Sequence, residues 1–102
     1  MAVYVDAAIW EWAGELWCHL TADTAEELHA FAATLGLRRS RFQSKPGRPW
    51  VDHYDIKEPK RRRAVALGAV EIMMEEAGAQ IARKRSAARS LPDAMLATVV
   101  ES

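Results

Sequence analysis

A single cysteine, Cys18, leaves the chain without any internal disulfide, and neither a Cys-x-x-Cys pair nor a His-Glu-x-x-His motif marks a metal site by spacing alone. No apolar run approaches the roughly 20 residues needed to span a bilayer. No sign of charge is in excess either. Fourteen Lys and Arg offset fourteen Asp and Glu, which removes the global field that draws a protein to nucleic acid or to anionic membranes. No internal repeat or low-complexity tract is visible. The opening Met-Ala-Val-Tyr-Val-Asp lacks the charged and long apolar regions of a secretion signal, and with one thiol this leads to the expectation of a cytoplasmic protein that is not membrane-integral.

What is present is the balance of an ordinary globular protein, with 50% hydrophobic and 27% charged residues. At 102 residues the chain suits one domain. We expect residues 1–90 to form a single soluble α/β domain and residues 91–102 to form a C-terminal tail, with a short amphipathic helix through Leu91, Met95, Leu96 and Val99. Charge is locally uneven. Acids gather in Glu11 to Glu27 and Glu71 to Glu76, and bases in Arg38 to Arg48, Lys57 to Arg63 and Arg83 to Arg89.

Ala2 to Asp6 is short and β-prone, with Val3 and Val5 on one face and Asp6 at its carboxyl end. Ile9 to Gly14, with Trp10 and Trp12, reads as irregular. In a strand Leu16 to Leu20, period-2 alternation groups Leu16, Cys18 and Leu20 on one face and Trp17 with His19 on the other. Thr24 and Glu27 make a capping-box pattern for a helix carrying Leu28, Phe31, Ala32 and Leu35, stopped by Gly36. Further strands are expected at Arg41 to Gln43, Val51 to Ile56 and Val70 to Ile72. Further helices are expected from Pro59 to Leu67, and from Met73 or Met74 to Ala88 with Met74, Ala77, Ile81 and Ala88 inward. The architecture this implies is α/β: a small mixed sheet of four to five strands covered by about three helices.

Several stretches resemble a family of small bacterial and phage proteins known as domain-of-unknown-function family four-thousand-and-thirty-one. They are Val3 to Asp6, Trp17 to Asp23, Glu27 to Ala32, Leu35 to Arg38, Phe42-Gln43, His53-Tyr54-Asp55, Lys60-Arg61 and Leu67 to Ala69. They cover most of residues 3 to 70, and the stretch beyond Ala69 matches less clearly. The resemblance implies a shared fold and a shared polar site, and it brings no established activity.

His53 and Asp55 share a strand face, and with His19 they form the leading candidate constellation. Two imidazoles and a carboxylate suit zinc or another divalent ion with a position left open. They also suit metal-free acid–base catalysis, and ordinary hydrogen bonding near a loop is the bland alternative. Asp6, at a strand end where open α/β sheets place ligands, and His29, at the margin of a helix stripe, are candidate ligand-binding residues beside Tyr54. A basic set, Lys60 and Arg61 at a helix start with Arg38 and Arg41, could hold a phosphate, against the alternative of a solvated charge run. Trp50 and Tyr54 could stack on bases. Trp10 and Trp12, set among acids, suit an interface. The expected function is binding, and potentially hydrolysing, a phosphate-bearing ligand such as a nucleotide or nucleic acid, with a divalent metal as a candidate cofactor. The rival is a noncatalytic interaction module, for instance a phage-type modulator holding a host protein or a second copy of itself.

Overall fold

The computed structural model describes residues 2–7 and 10–89. The elements run β1 (Val3–Val5), β2 (Trp10–Trp12), β3 (Glu15–Ala22), α1 (Ala25–Thr34), β4 (Phe42–Gln43), β5 (His53–Lys57), α2 (Glu58–Ala66), β6 (Val70–Glu71) and α3 (Met74–Arg89). The strands form one mixed sheet in the order β4-β5-β3-β1-β6, with β2 also paired to β3, so the α/β class expected from the sequence is what forms. The sheet has six strands because Trp10 to Trp12, expected to be irregular, pairs with β3. Its turn is Ala13-Gly14, both at positive φ (55° and 78°), the backbone a two-residue hairpin requires.

Strand register explains where the chain opens. Trp17 pairs with both Trp10 and Lys57, and Leu20 with both Val5 and Tyr54. Hence β5 lies along one edge of β3, while β1 and β2 share the other edge in succession. Asp6 sits where the chain leaves that edge.

One sheet face is dry. Val5, Cys18, Leu20, Tyr54 and Ile56 are buried there against Leu28, Ala32 and Leu35 of α1 with its cap, and Ala64 of α2. Burying each large side chain contributes roughly 1.5–3 kcal/mol. Leu16, grouped with this face by alternation, is exposed near the start of β3. The α1 start is as expected: Thr24 Oγ1 accepts from the Glu27 backbone N–H at 3.2 Å and donates to Glu27 Oε1 at 2.9 Å, a cap worth about 1 kcal/mol. Both α1 and α2 end alike. Gly36 and Gly68 take φ of 77° and 108°, which lets the N–H groups of Leu37 and Ala69 reach back to Ala32 and Ala64 carbonyls, each at 2.9 Å.

The helix α3 lies on the opposite face and only partly as its apolar pattern suggests. Met74 and Ile81 are 58% and 40% exposed, whereas Gln80 is buried. Ala77 and Ile81 do face the sheet across a cavity, but the closest contacts are polar: Thr21 Oγ1 donates to Gln80 Oε1 at 3.3 Å, and Lys84 donates to the Ala22 carbonyl. The Ala88 side chain and the tail residues Leu91, Met95, Leu96 and Val99 lie outside the described ones. Elsewhere boundaries shift. Arg41 and Val51, expected in strands, fall in the 3₁₀ turns Arg39–Arg41 and Pro49–Val51. No helix of the described residues is long and apolar enough to cross a membrane.

Candidate metal centre on the second sheet face

Alternation sends His19, Asp55 and His53 to the face away from α1 and α2, and the β3–β5 register sets His19 directly opposite Asp55. One ligand atom from each comes together, all within 4.8 Å of one another. His53 Nε2 is 3.3 Å from Asp55 Oδ1, and His19 Nε2 is 4.0 Å from the same oxygen. Donors around a tetrahedral zinc lie about 3.3 Å apart, given bonds of roughly 2.0–2.1 Å. The first spacing matches and the second is wider by less than an ångström.

Each of the three side chains is held by its other polar atom. His19 Nδ1 lies 2.6 Å from Asp6 Oδ2, and Asp6 Oδ1 accepts the His19 backbone N–H at 2.7 Å. His53 Nδ1 lies 2.7 Å from the Val51 carbonyl oxygen, an acceptor that requires the proton on Nδ1. Gln43 Nε2, across the β4–β5 pair, donates to Asp55 Oδ2. In the neutral rings these contacts leave the Nε2 atoms of both histidines as acceptors. They also leave Asp55 Oδ1 buried without a hydrogen-bond partner, a state that costs about 1–3 kcal/mol unless something satisfies it. Histidine ligands of metals are oriented in this way, by a carboxylate or a carbonyl on the far nitrogen.

Asp6 is itself almost fully buried. Its hydrogen bond raises the His19 pKa, against an opposing push from burial and with further help from the Asp6 and Asp55 charges. Cys18, next in sequence but on the dry face, is excluded from this chemistry. Burial pushes its thiol up to about 12, so no thiolate is available.

His19 and His53 also line a cavity of about 180 Å³ beneath α3, together with Trp50, Gln80 and Lys84. Burial lowers the Lys84 pKa. On the other side, Asp55 borders two more open hollows, one carrying Arg38, Arg41 and Lys60.

The remaining sequence candidates separate. Tyr54 and His29, expected at the ligand cleft, are on the dry face: Tyr54 is buried, its hydroxyl lies 2.8 Å from His29 Nδ1, and His29 packs edge-on against Phe42 at 4.4 Å. Tyr54 therefore cannot stack on a base or meet the cleft. Strand alternation between His53 and Asp55 places it there. The basic start of α2 is also partly structural. Lys60 Nζ donates to the Leu35 carbonyl at 2.7 Å, and Arg61 Nε donates to the Asp6 carbonyl at 2.7 Å while its Nη1 donates to Glu71 at 3.1 Å. They tie α2 to the α1 terminus and to β1, rather than turning toward the free N–H groups of their own helix.

Residues 3–85 match a family described as protein of unknown function (DUF4031). The chain belongs to that family. The DUF4031 match extends past Ala69 into α3, further than the motifs of the sequence suggest, and it spans every residue of the His19–His53–Asp55 cluster and its supports. Nothing matches among curated proteins or among solved structures.

Two supports were not legible as such. Gln43 falls within the resembling Phe42-Gln43 pair, but only the β4–β5 register brings it to Asp55. Asp6 stood out by its place at a strand end, but its partner His19 depends on where β1 meets β3.

Proposed function

We propose that the protein binds a divalent first-row metal ion through His19 Nε2, His53 Nε2 and Asp55 Oδ1, and that it holds and hydrolyses a phosphate-bearing ligand, a nucleotide or nucleic acid, at that centre. The observation that supports this best is the unpartnered, buried Asp55 oxygen facing two imidazole lone pairs, each preset by a hydrogen bond behind it. Three protein donors leave a coordination position for water or a phosphoryl oxygen. A bound ion supplies Lewis-acid polarisation and a more acidic water. In the hydrolysis, the water oxygen bonds to phosphorus, the ester P–O bond breaks, and the water proton ends on the departing oxygen. Arg38 and Arg41 offer countercharge to the phosphate from the neighbouring hollow. This reading places the protein in the cytoplasm, where a single thiol such as Cys18 stays reduced.

Calorimetric titration of the purified protein with Zn²⁺ or Mn²⁺ should give binding at about one ion per chain. His53→Ala should abolish the heat while leaving the melting temperature within a few degrees. Activity is read on bis(4-nitrophenyl) phosphate. Absence of binding by both ions overturns the reading.

An interaction module is the second reading, supported by Leu67, Val70, Met73 and Met74, all exposed beside the edge strand β6. Light scattering at rising concentration should then show a dimer. An unchanged monomer mass counts against self-association there.

A further inference from the structure

Two hollows meet at Asp55. One, of about 270 Å³, is walled by Trp10, Trp12, Trp17, Arg41, Gln43 and Asp55. The other, of about 440 Å³, shares Trp17, Arg41 and Asp55 and adds Arg38, Lys57 and Lys60. An aromatic floor and a cationic wall thus continue from one another past Asp55, on the side away from the His19–His53 cavity.

The floor is internally packed and yet uncovered. Trp17 is buried beneath the other two indoles, stacked on Trp10 at 6.4 Å between centroids and edge-on to Trp12 at 5.9 Å. Its Nε1 donates to the Trp12 carbonyl at 3.0 Å, and the Lys57 ammonium sits 5.5 Å over its ring. Trp12 is nevertheless 65% exposed, so its outer surface is free for a flat partner. Trp10 reaches the other way, 4.9 Å from the His19 ring.

The cations of the wall differ in availability. Lys57 pairs with Glu15 at 2.7 Å and Lys60 is held by Leu35. Arg38 and Arg41 have no acidic partner among the described residues, and both are exposed. Glu11 does not oppose them, because alternation within β2 turns it to the face away from Trp10 and Trp12.

We infer that the Trp10–Trp12 hairpin and the Arg38–Arg41 turn form the track of a single-stranded nucleic acid, which lays a phosphodiester beside Asp55. This deepens the proposed function and rests on it for the reactive end of the track. Aromatic platforms next to a basic groove are how single strands are held without regard to sequence, since every base offers a face to stack and every linkage a charge. A duplex hides its base faces, and a free nucleotide reaches one part of the track.

The test is fluorescence anisotropy of the full chain with labelled oligothymidylate and oligouridylate of about twelve nucleotides, within the site sizes of such grooves, at low salt and in chelator, with indole emission followed in parallel. Both oligomers should bind and quench the indoles, thymidine monophosphate should compete at least 100-fold more weakly, and a duplex should bind more weakly than either strand. Trp12→Ala should weaken binding about tenfold, with Trp12→Phe restoring part of it and circular dichroism unchanged. Arg41→Ala should reduce the steepness of log K against log salt by about 0.7. Binding no tighter than the monophosphate, equal binding of duplex, or unchanged affinity in Trp12→Ala overturns the inference. Because the chelator removes metal, strand binding without any Zn²⁺ or Mn²⁺ heat would retire the hydrolytic reading and keep the track. Metal binding without strand binding would do the reverse.

Discussion

The two faces of the central strands β3 and β5 are built from interleaved residues and do opposite things. On one, Cys18, Leu20, Tyr54 and Ile56 are buried under α1 and α2, and the polar groups there pair with one another. On the other, His19, His53 and Asp55 remain partly open, with each side chain restrained at one polar atom and free at the next. The difference teaches that one face is closed by packing while the other keeps polar atoms without hydrogen-bond partners. Asp55 Oδ1, buried without a hydrogen-bond partner and faced by two imidazoles, is the sharpest case.

That division can be broken from either side. The largest effect should come from the dry face: Leu20→Ala removes a fully buried side chain and should cost about 2–5 kcal/mol in urea unfolding, with the metal affinity of the folded fraction little changed. Next, Asp6→Asn should keep an acceptor for the His19 backbone N–H while presenting an amide N–H to Nδ1. That moves the ring proton to Nε2 and occupies the outward lone pair. Zn²⁺ affinity should drop about 10–100-fold with the fold retained by circular dichroism. Unchanged affinity would show that Asp6 is a structural carboxylate alone.

A smaller effect sharpens the comparison on the dry side. Tyr54→Phe deletes the hydroxyl bonded to His29 and should cost about 0.5–1.5 kcal/mol, with no loss of metal binding. Equal metal loss would mean the faces are not independent. The smallest effect is one of pH. Burial, and then the Arg39 charge, hold the His29 pKa below its ordinary value. With the unfolded value near 6.5, the stability this contributes is fully present above pH 6.5 and is lost as pH falls through the lower folded value. Denaturant midpoints of the wild type should therefore decline below pH 6.5, and His29→Gln should flatten that decline.

The sequence carried a good part of this, and the boundary is instructive. Thr24 with Glu27, and Gly36 and Gly68 past the helix ends, were readable because caps act within a few residues. His53 and Asp55 were readable as a same-face pair for an equally local reason. Tyr54 neighbours both in sequence, yet the same alternation that unites His53 and Asp55 sends it to the core. On α3, periodicity points Ala77 and Ile81 to the sheet side and misses only that Gln80 is the buried residue while Met74 is exposed, because the opposing surface is partly polar. Trp10 to Trp12 does not announce itself as a strand, since Ala-Gly is a weak turn signal beside Asn-Gly or Asp-Gly.

What the sequence determined by itself is the α/β class, two helices with their stops, and the grouping of His53 with Asp55. All follow from periodicity and capping, which involve neighbours in the chain. Only the tertiary structure decided that His19 stands opposite Asp55, that Gln43 holds that carboxylate, that Asp6 is the group behind His19, and that Lys60 and Arg61 are ties within the fold. Those contacts join strands and helices far apart in sequence. Their register is set by the collective fit of the dry face, and no single residue announces it.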